Sequence, residues 1–307
     1  MELLIDVKIQ GLNPGFVANP LRKDRYSMGE PKRKLQLSNG YLFEFDQLSR
    51  VLHFLAAHPS EKRIYRKAIQ ESTGLSDRQI ESVVSIGCAL GLTKSGAQTL
   101  TPAGALVTTY DIFLERMGTL QWCHYQGAGH YKNLVWYEIF NRILPKEEAT
   151  TEGGWVANLK KTLRGQYTYK TLGKHLHEEV RFVVDAYLNR NFKKLEILHQ
   201  NGDGRLFRRR HLQVEPLILC AMIYDYAAHR GESLLQVKEI LDAEGSPSLL
   251  LGFDDTSFRQ AIEILHENGW LRYESTHHLD QVRLRDGFSA LTFLKKYYKG
   301  PSPEAKQ

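Results

Sequence analysis

Apolar residues recur at helical spacing after residue 43, and the first such run predicts one helix. In "FEFDQLSRVLHFLAAHP", residues 43 to 59, the apolar side chains fall three or four positions apart, which places them on one face of an α-helix. That face consists of Phe45, Leu48, Val51, Leu52 and Leu55. Because a proline cannot continue a regular helix, we expect the helix to end before Pro59.

The next stretch, residues 62 to 104, predicts two further helices and a short hairpin. Gly74 marks a turn between the helices, and Ser76 with Gln79 three residues later has the spacing of a capping box. Gly91 ends the second of these helices, and "LTKSGAQTLT" then predicts two short strands around a glycine-containing turn. Three helices followed by a hairpin is the order of a winged helix-turn-helix module.

A comparable order of elements returns near the carboxyl terminus. "VEPLILCAMIYDYAAHRG" predicts a helix with Pro216 in its first turn, and "SLLQVKEILDAEG" predicts a second helix. A third helix is indicated by Phe258, Ala261, Ile262 and Leu265, which lie at i, i+3, i+4 and i+7. Gly269 ends it, and "WLRYESTHHLDQVRLRDG" predicts a longer hairpin.

These patterns together predict a mainly α protein with two winged helix-turn-helix-like modules on either side of a helical middle segment. We expect the winged-helix-like domains at residues 44–105 and 213–299, and a basic helical domain at 106–212. Residues 1–43, which begin with the strand-like "ELLIDVKI", are expected to form an arm or strand hairpin, and residues 300–307 a disordered tail.

Composition places the protein in the cytoplasm. The chain has 307 residues, no apolar run long enough to cross a bilayer and no secretory pattern at its start, so we expect no membrane association. Its three cysteines, Cys88, Cys123 and Cys220, are an odd number and stand singly in apolar patterns. This spacing favours buried thiols in a reducing compartment over disulfides or a zinc site.

Positive charge is concentrated in the middle of the chain. The formal net charge is +6, yet residues 155–210 contain thirteen Lys or Arg against five Asp or Glu, a local charge of +8. Interleaved tyrosines make the segment resemble a nucleic-acid surface, so double-stranded DNA is the expected partner. A solvated helical face is the alternative. The expected backbone contacts are Lys160, Lys161, Arg164, Arg208, Arg209 and Arg210.

Winged helices present their third helix to the major groove and their hairpin to an adjacent groove or the backbone. The outward candidates are Arg78, Gln79 and the hairpin residue Lys94 in the first module, and Arg259 and Gln260 in the second. Many such modules bind other proteins or only support the fold. The pattern alone therefore leaves DNA contact and a protein-interaction role open.

The chain lacks the common catalytic motifs. It has no glycine-rich phosphate loop, no dinucleotide-binding fingerprint and no Gly-x-Ser-x-Gly turn. A metal-dependent nuclease needs carboxylates near one point, and two weak candidates exist. The first joins Asp6 to Glu30 and Lys32, although Pro31 argues against a regular strand there. The second places Asp111 and Glu115 four apart on a predicted helix face.

The second candidate lies next to "TLQWCHYQGAGHYKNLVWYEIFN", residues 119–141, which is rich in aromatic and histidine residues. A histidine there could activate water, and a tyrosine could act as a nucleophile on DNA. The alternative is an aromatic core that contains hydrogen-bonded histidines, since most of the stretch is apolar. On that interpretation His124, His130 and Tyr131 would lie at its functional edge.

Three segments in order, "LTPAGALVTTYDIFLERMGTLQWCHYQ", "VWYEIFN" and "EPLILCAMIYDYA", resemble the SspB family of bacterial single-strand DNA phosphorothioation defence systems. The resemblance covers roughly residues 44–300. It implies a DNA nickase, dependent on Mg²⁺ or Mn²⁺, that acts with a cysteine desulfurase, an ATPase and a sulfur-transferring partner. It directs the search for catalytic residues to Asp111, His124, Tyr125, Glu138 and Asn141.

The sequence thus predicts a DNA-nicking protein of a phosphorothioation system that uses winged-helix modules and a basic middle segment to hold DNA. A non-catalytic DNA-binding scaffold or a transcription regulator is the alternative. A third interpretation, a platform that contacts only proteins, predicts binding that is insensitive to salt, whereas phosphate contacts weaken steeply as salt rises.

Overall fold

The computed structural model describes residues 33–59, 66–94, 99–146, 149–211, 213–276 and 278–300, and it is mainly helical. The first nuclease candidate, Asp6 with Glu30 and Lys32, lies outside the described residues, as do most of the expected arm and residues 301–307. No helix in the described ranges is long and apolar enough to cross a membrane.

The first three helices agree with the apolar pattern. They are α1 (Phe45–Ala57), α2 (Arg66–Thr73) and α3 (Asp77–Ala89). The capping box is confirmed, since the Gln79 amide donates to the Ser76 hydroxyl and the Gln79 side chain accepts from the Ser76 amide. Gly91 then takes a positive φ of 71°, which favours glycine. Thr93 and Leu100 pair as a short antiparallel bridge before α4 (Pro102–Tyr110).

The middle of the chain consists of long helices around one aromatic cluster. It comprises α5 (Met117–Gly129), α6 (Leu134–Glu138), a π-helical turn (Ile139–Ile143), two 3₁₀ turns (Leu144–Lys146 and Lys193–Leu195), α7 (Glu152–Thr162), α8 (Tyr169–Leu188) and the antiparallel strands β1 (Leu198–Gln200) and β2 (Leu206–Arg208). Almost every residue of α5 is buried, because neighbouring helices enclose it on all sides.

The last third alternates helices with a three-stranded antiparallel sheet. Its elements are α9 (Pro216–Arg230), β3 (Leu234–Gln236), α10 (Val237–Asp242), α11 (Pro247–Leu251), α12 (Asp255–Glu267), β4 (Leu271–Ser275), β5 (Asp280–Leu284) and α13 (Ala290–Lys299). The strand order is β3-β5-β4.

The single helix predicted for "SLLQVKEILDAEG" is wrong at its start, where the chain forms β3. Leu235 is buried opposite Val282 of β5, while its neighbours Leu234 and Gln236 are exposed. This alternation extends over only three residues, too few to distinguish a strand from a helix by periodicity. Pairing with β5 therefore decides the local structure.

One continuous apolar core joins these elements. Its largest fully buried side chains include Trp136, Phe140, Trp155, Tyr187 and Phe192, all from the middle of the chain. Helix α13 packs against both α9 and α4, so the end of the chain closes onto its amino-terminal half.

Candidate functional site

His124 lies at the centre of the core. Its side chain is fully buried on α5, with Nδ1 2.5 Å from the Tyr187 hydroxyl and Nε2 3.1 Å from the Leu250 carbonyl oxygen. Since the carbonyl can only accept, Nε2 carries the proton and Nδ1 accepts from Tyr187. Burial lowers the pKa of His124 to about 4. This histidine is therefore neutral at pH 7 and ties α5 to α8 and α11.

Glu138 and Asn141 also hold segments of the protein together. The buried Glu138 carboxylate accepts from Arg33 Nη1 at 2.6 Å and from Arg142 Nη1 at 2.9 Å. Asn141 donates to the carbonyls of Ala128 and Tyr137, both at 2.9 Å, while its Oδ1 accepts from the Gly245 amide at 2.6 Å. Oε1 of Glu138 and both polar atoms of the Asn141 side chain are thus occupied by protein groups.

Asp111 does not share a helix face with Glu115, which corrects the spacing argument. Helix α4 ends at Tyr110, and the two Asp111 carboxylate oxygens accept from the amides of Glu115 and Arg116, each at 3.0 Å. Aspartate competes for nearby backbone amides in this way and so favours a turn over a continued helix. Leu114 adopts a positive φ of 56° within that turn.

These four residues and Tyr125 do not form a common centre of ligands. Within the ranges that the structure describes, no group of three or more His, Cys, Asp or Glu side chains is placed to hold a metal ion. The described residues thus contain no preformed metal cluster of three such ligands. Tyr125, a predicted catalytic residue buried on α5, borders an open cleft.

This cleft, with a volume of about 300 Å³, lies where the end of α5, the last turns of α9 and the α10–α11 connection meet. Its walls include His130, Tyr131, Asp225, Tyr226, His229 and Glu244. Small-molecule and active-site clefts begin at about this size and combine apolar walls with a few polar groups. Asn141 and Arg142 fix one wall, since they bind Gly245 and Glu244.

Two histidines in the cleft differ in charge. His229, in the last turn of α9, donates from Nδ1 to the Asp225 carbonyl at 2.8 Å, and its Nδ1 lies 3.4 Å from the Asp225 carboxylate. Asp225 raises the pKa of His229 to about 9. His130 accepts the Lys132 amide at Nδ1, and burial, followed by the charges of Lys132 and His229, lowers the pKa of His130. At neutral pH the cleft thus contains one imidazolium and one neutral imidazole.

The acidic side chains of the cleft are matched by cations. Asp225 faces His229 and also accepts from Gln126 Nε2 at 3.1 Å. Glu244 makes two hydrogen bonds with Arg142, at 2.7 and 2.9 Å, and accepts from the Tyr137 hydroxyl at 2.8 Å. The cleft is therefore not net acidic.

A strongly basic surface lies on α7 and α8. Residues 153–177, here called the basic hairpin, contain no Asp or Glu. Their cations are Lys160, Lys161, Arg164, Lys170 and Lys174, all exposed, and none forms an ion pair with a described residue. Tyr169, in the first turn of α8, is 89% exposed. Unpaired cations around an exposed aromatic ring suit a polyanion with stackable bases.

The basic hairpin adjoins the cleft through Arg33. The Tyr167 hydroxyl donates to the Arg33 carbonyl at 2.7 Å. The Arg33 guanidinium lies 3.9 Å from the centre of the Tyr131 ring and donates to the Tyr131 carbonyl at 2.9 Å. Arg33, which is buried, thus links the basic hairpin to Tyr131, a residue that borders the cleft.

The other predicted DNA contacts have mixed environments. Arg78, Lys94, Arg209 and Gln260 are exposed, whereas Gln79 is the capping partner of Ser76. The remaining three arginines contact protein groups. Arg208 donates to the Leu249 carbonyl, and Arg210 forms an ion pair with Asp254. Arg259 forms a bidentate ion pair with Asp280. Exposed side chains that could contact DNA are therefore those of Arg78, Lys94, Arg209 and Gln260. The side chains of Gln79, Arg208, Arg210 and Arg259 contact other groups of the protein.

Asp225, His229 and Glu244 were missed by the sequence analysis. Asp225 and His229 stand four apart on a predicted helix, a spacing that places their side chains side by side and could have marked the pair. Nothing local indicates that this pair faces His130, because the two sites are nearly a hundred residues apart along the chain.

A model of the DUF4007 family, described as "protein of unknown function", matches residues 88–298. The fold is similar to two solved structures of SspB, one of them bound to a magnesium ion. Both have a TM-score of 0.67 over 85% of this chain and 86% of the SspB chain, at 12% and 13% identity. No curated protein matches the sequence. The predicted resemblance to SspB is confirmed as a shared fold.

Proposed function

From the premise that this chain belongs to the DUF4007 family, we propose that it is a DNA-binding protein of a backbone phosphorothioation system and that it nicks the bound DNA. The resemblance to SspB, in sequence segments and in fold, supports the system. Its partners would then be the cysteine desulfurase, the ATPase and the sulfur-transferring protein of such a system.

The observation that supports DNA binding best is the basic hairpin. Five exposed cations without a described acidic partner stand within 25 residues that contain no acid. A solvated helical face usually mixes charges of both signs, because oppositely charged pairs support a helix. Repulsion among these lysines and arginines favours the binding of a polyanion, and DNA releases counterions when it binds such a surface.

The carboxyl-terminal elements supply a second docking surface. We infer that α9, β3, α10–α11, α12 and β4–β5 act together as a winged helix, with α12 as the helix directed to the groove. Arg259 is held by Asp280, so Gln260 on the same helix and Arg209 nearby are better candidates for contact. We also propose the domain limits 44–105, 106–212 and 213–299 on this basis.

A change of charge on the basic hairpin tests the binding proposal. We expect the triple variant Lys160→Gln, Lys161→Gln, Arg164→Gln to weaken DNA binding and to reduce the slope of log affinity against log salt by about 0.9 per lost phosphate contact. The matched control is Lys238→Gln, Lys295→Gln, Lys299→Gln, three exposed lysines outside the hairpin. Equal slopes for the two triple variants, measured by fluorescence anisotropy, would refute the proposal.

The nicking activity is tested with supercoiled plasmid in the presence of Mg²⁺, Mn²⁺ or EDTA. Open circles without linear product are the expected result, and their loss in EDTA would support the metal dependence that the resemblance implies. Substitutions at Asp111, His124, Glu138 and Asn141 test their predicted catalytic roles. A protein that binds DNA in a salt-sensitive manner and does not nick it would instead be a scaffold or regulator.

A further inference from the structure

The cleft bounded by His130, Asp225 and His229 has the features of a reaction centre for phosphate chemistry. It adjoins the basic hairpin through Arg33 and Tyr131, and Lys132 is exposed at its edge. In the inferred complex, a DNA strand held by the hairpin places a phosphodiester at the mouth of the cleft. There it would meet the ring N–H groups of two histidines.

The orientation of each histidine is fixed by its neighbours. His229 Nδ1 faces Asp225, so its Nε2–H is the proton that remains for a ligand. His130 Nδ1 accepts the Lys132 amide, so the neutral ring also carries its proton on Nε2. Two N–H donors on separate elements of one cleft, one of them charged, match the oxygens of a phosphate group.

We propose that this cleft is the phosphodiester-cleaving centre of the protein, with His229 as the proton donor to the leaving oxygen and His130 as a hydrogen-bond donor to a phosphoryl oxygen. The inference rests on the proposed nicking function. Asp225 is a positioning residue, because it acts through His229.

The step is a hydrolysis. The oxygen of a water molecule forms a new bond to phosphorus, the bond from phosphorus to the leaving sugar oxygen breaks, and His229 protonates that oxygen. The proton released by the attacking water restores the imidazolium. The products are a phosphate monoester and a sugar hydroxyl, which together make a nick.

The surrounding charges are compatible with an anionic ligand. From α9 the cleft contains Asp225 and Arg230, from the α10–α11 connection Glu244, and beside His130 the cation Lys132. His229 matches Asp225, Arg142 matches Glu244, and Arg230 contacts Glu232 and Glu239. Tyr125, Tyr131 and Tyr226 supply neutral walls.

The test combines nicking rates with a binding readout. We expect His229→Gln and His130→Ala each to lower plasmid nicking by about 100-fold, the usual contribution of a proton donor or an oxyanion donor, while the salt-sensitive DNA binding of the basic hairpin is retained. His53→Gln, on the exposed side of α1, is the matched control and should nick normally. In histidine-labelled wild-type protein, a short thymidine oligonucleotide should shift the ring signals of His130 and His229.

The pH profile separates catalysis from a structural role. The wild-type rate should fall as the pH rises through about 9, where His229 loses its proton. Asp225→Asn removes the charge that stabilises the imidazolium, so the alkaline limb should move towards the unperturbed value of about 6.5. A residue that merely supports the fold would lower the rate without moving that limb.

The outcomes are distinguishable. If wild-type protein nicks and both histidine variants retain the rate, the inference is overturned while the proposed function stands. If DNA binds to the hairpin and neither histidine signal shifts, the cleft is not the site. If wild-type protein neither nicks nor shifts these signals, the proposed nicking function and this inference both fail.

Discussion

At the scale of single residues, burial distinguishes the polar side chains that hold the fold together from those that border the cleft. His124, Glu138 and Asn141 form hydrogen bonds with groups inside the protein, whereas the exposed His130 and His229 border a cleft. Four of these residues lie in the stretch 119–141, and His229 lies on α9, which packs against α5. Burial thus separates residues of the same type into structural and candidate catalytic roles.

His124 should make the stability of the protein fall in mild acid. Its pKa is about 4 in the folded protein and about 6.5 in the unfolded chain, so below pH 6.5 the unfolded chain binds more protons. The stability from neutral His124 is present above that value and is lost as the pH falls towards 4, by up to about 3 kcal/mol. Denaturant unfolding between pH 7 and 4.5 measures the effect.

The variant His124→Gln tests the origin of this dependence. It should lower stability at pH 7 by about 1–3 kcal/mol, because the Tyr187 and Leu250 partners are less well satisfied. It should also flatten the acid-dependent part of the curve. His53→Gln, at an exposed histidine, is the control. If His124→Gln loses stability as steeply as His53→Gln when the pH falls, another group is responsible.

At the scale of elements, helix ends follow the local sequence and helix packing depends on a few close approaches. Gly104, in the first turn of α4, is one of them: a β-carbon there would lie 1.9 Å from the Leu92 carbonyl oxygen. No flexible side chain can relieve that contact, because the obstructing atom belongs to the backbone.

We therefore expect Gly104→Ala to destabilise the protein by about 1–3 kcal/mol or more. Gly173 on α8 is the matched control, since a β-carbon added there has no neighbour within 4 Å. Gly173→Ala should stabilise by about 0.5–1 kcal/mol, the usual gain inside a helix. Thermal unfolding of both variants measures the difference, and a neutral Gly104→Ala would show that α4 can shift away from Leu92.

At the scale of the whole molecule, the carboxyl-terminal helix closes the fold. The Tyr298 hydroxyl lies 2.6 Å from the Thr119 hydroxyl, and the Tyr297 hydroxyl accepts from the Gly118 amide at 3.1 Å. Helix α13 therefore joins α4, α5 and α9, and the proposed domains pack against one another around a continuous apolar core.

Removal of α13 should consequently affect the entire protein. A chain that ends at Phe288 loses buried Phe293, Leu294 and Tyr298, a loss on the order of 5 kcal/mol and comparable to the whole stability of many domains. A chain that ends at Gly300 keeps α13 and is the control. We expect one cooperative unfolding transition for the control and none for the shorter chain. A normal transition in both would mean that α13 is dispensable.

The sequence by itself determined the features that depend on neighbours along the chain. The capping box at Ser76, the end of α3 at Gly91 and the acid-free basic segment follow from residues a few positions apart, so they could be predicted. The tertiary structure alone decided the strand β3 and the meeting of His130 with His229. These depend on a partner strand and on packed helices that are distant in sequence, and no periodicity records such contacts.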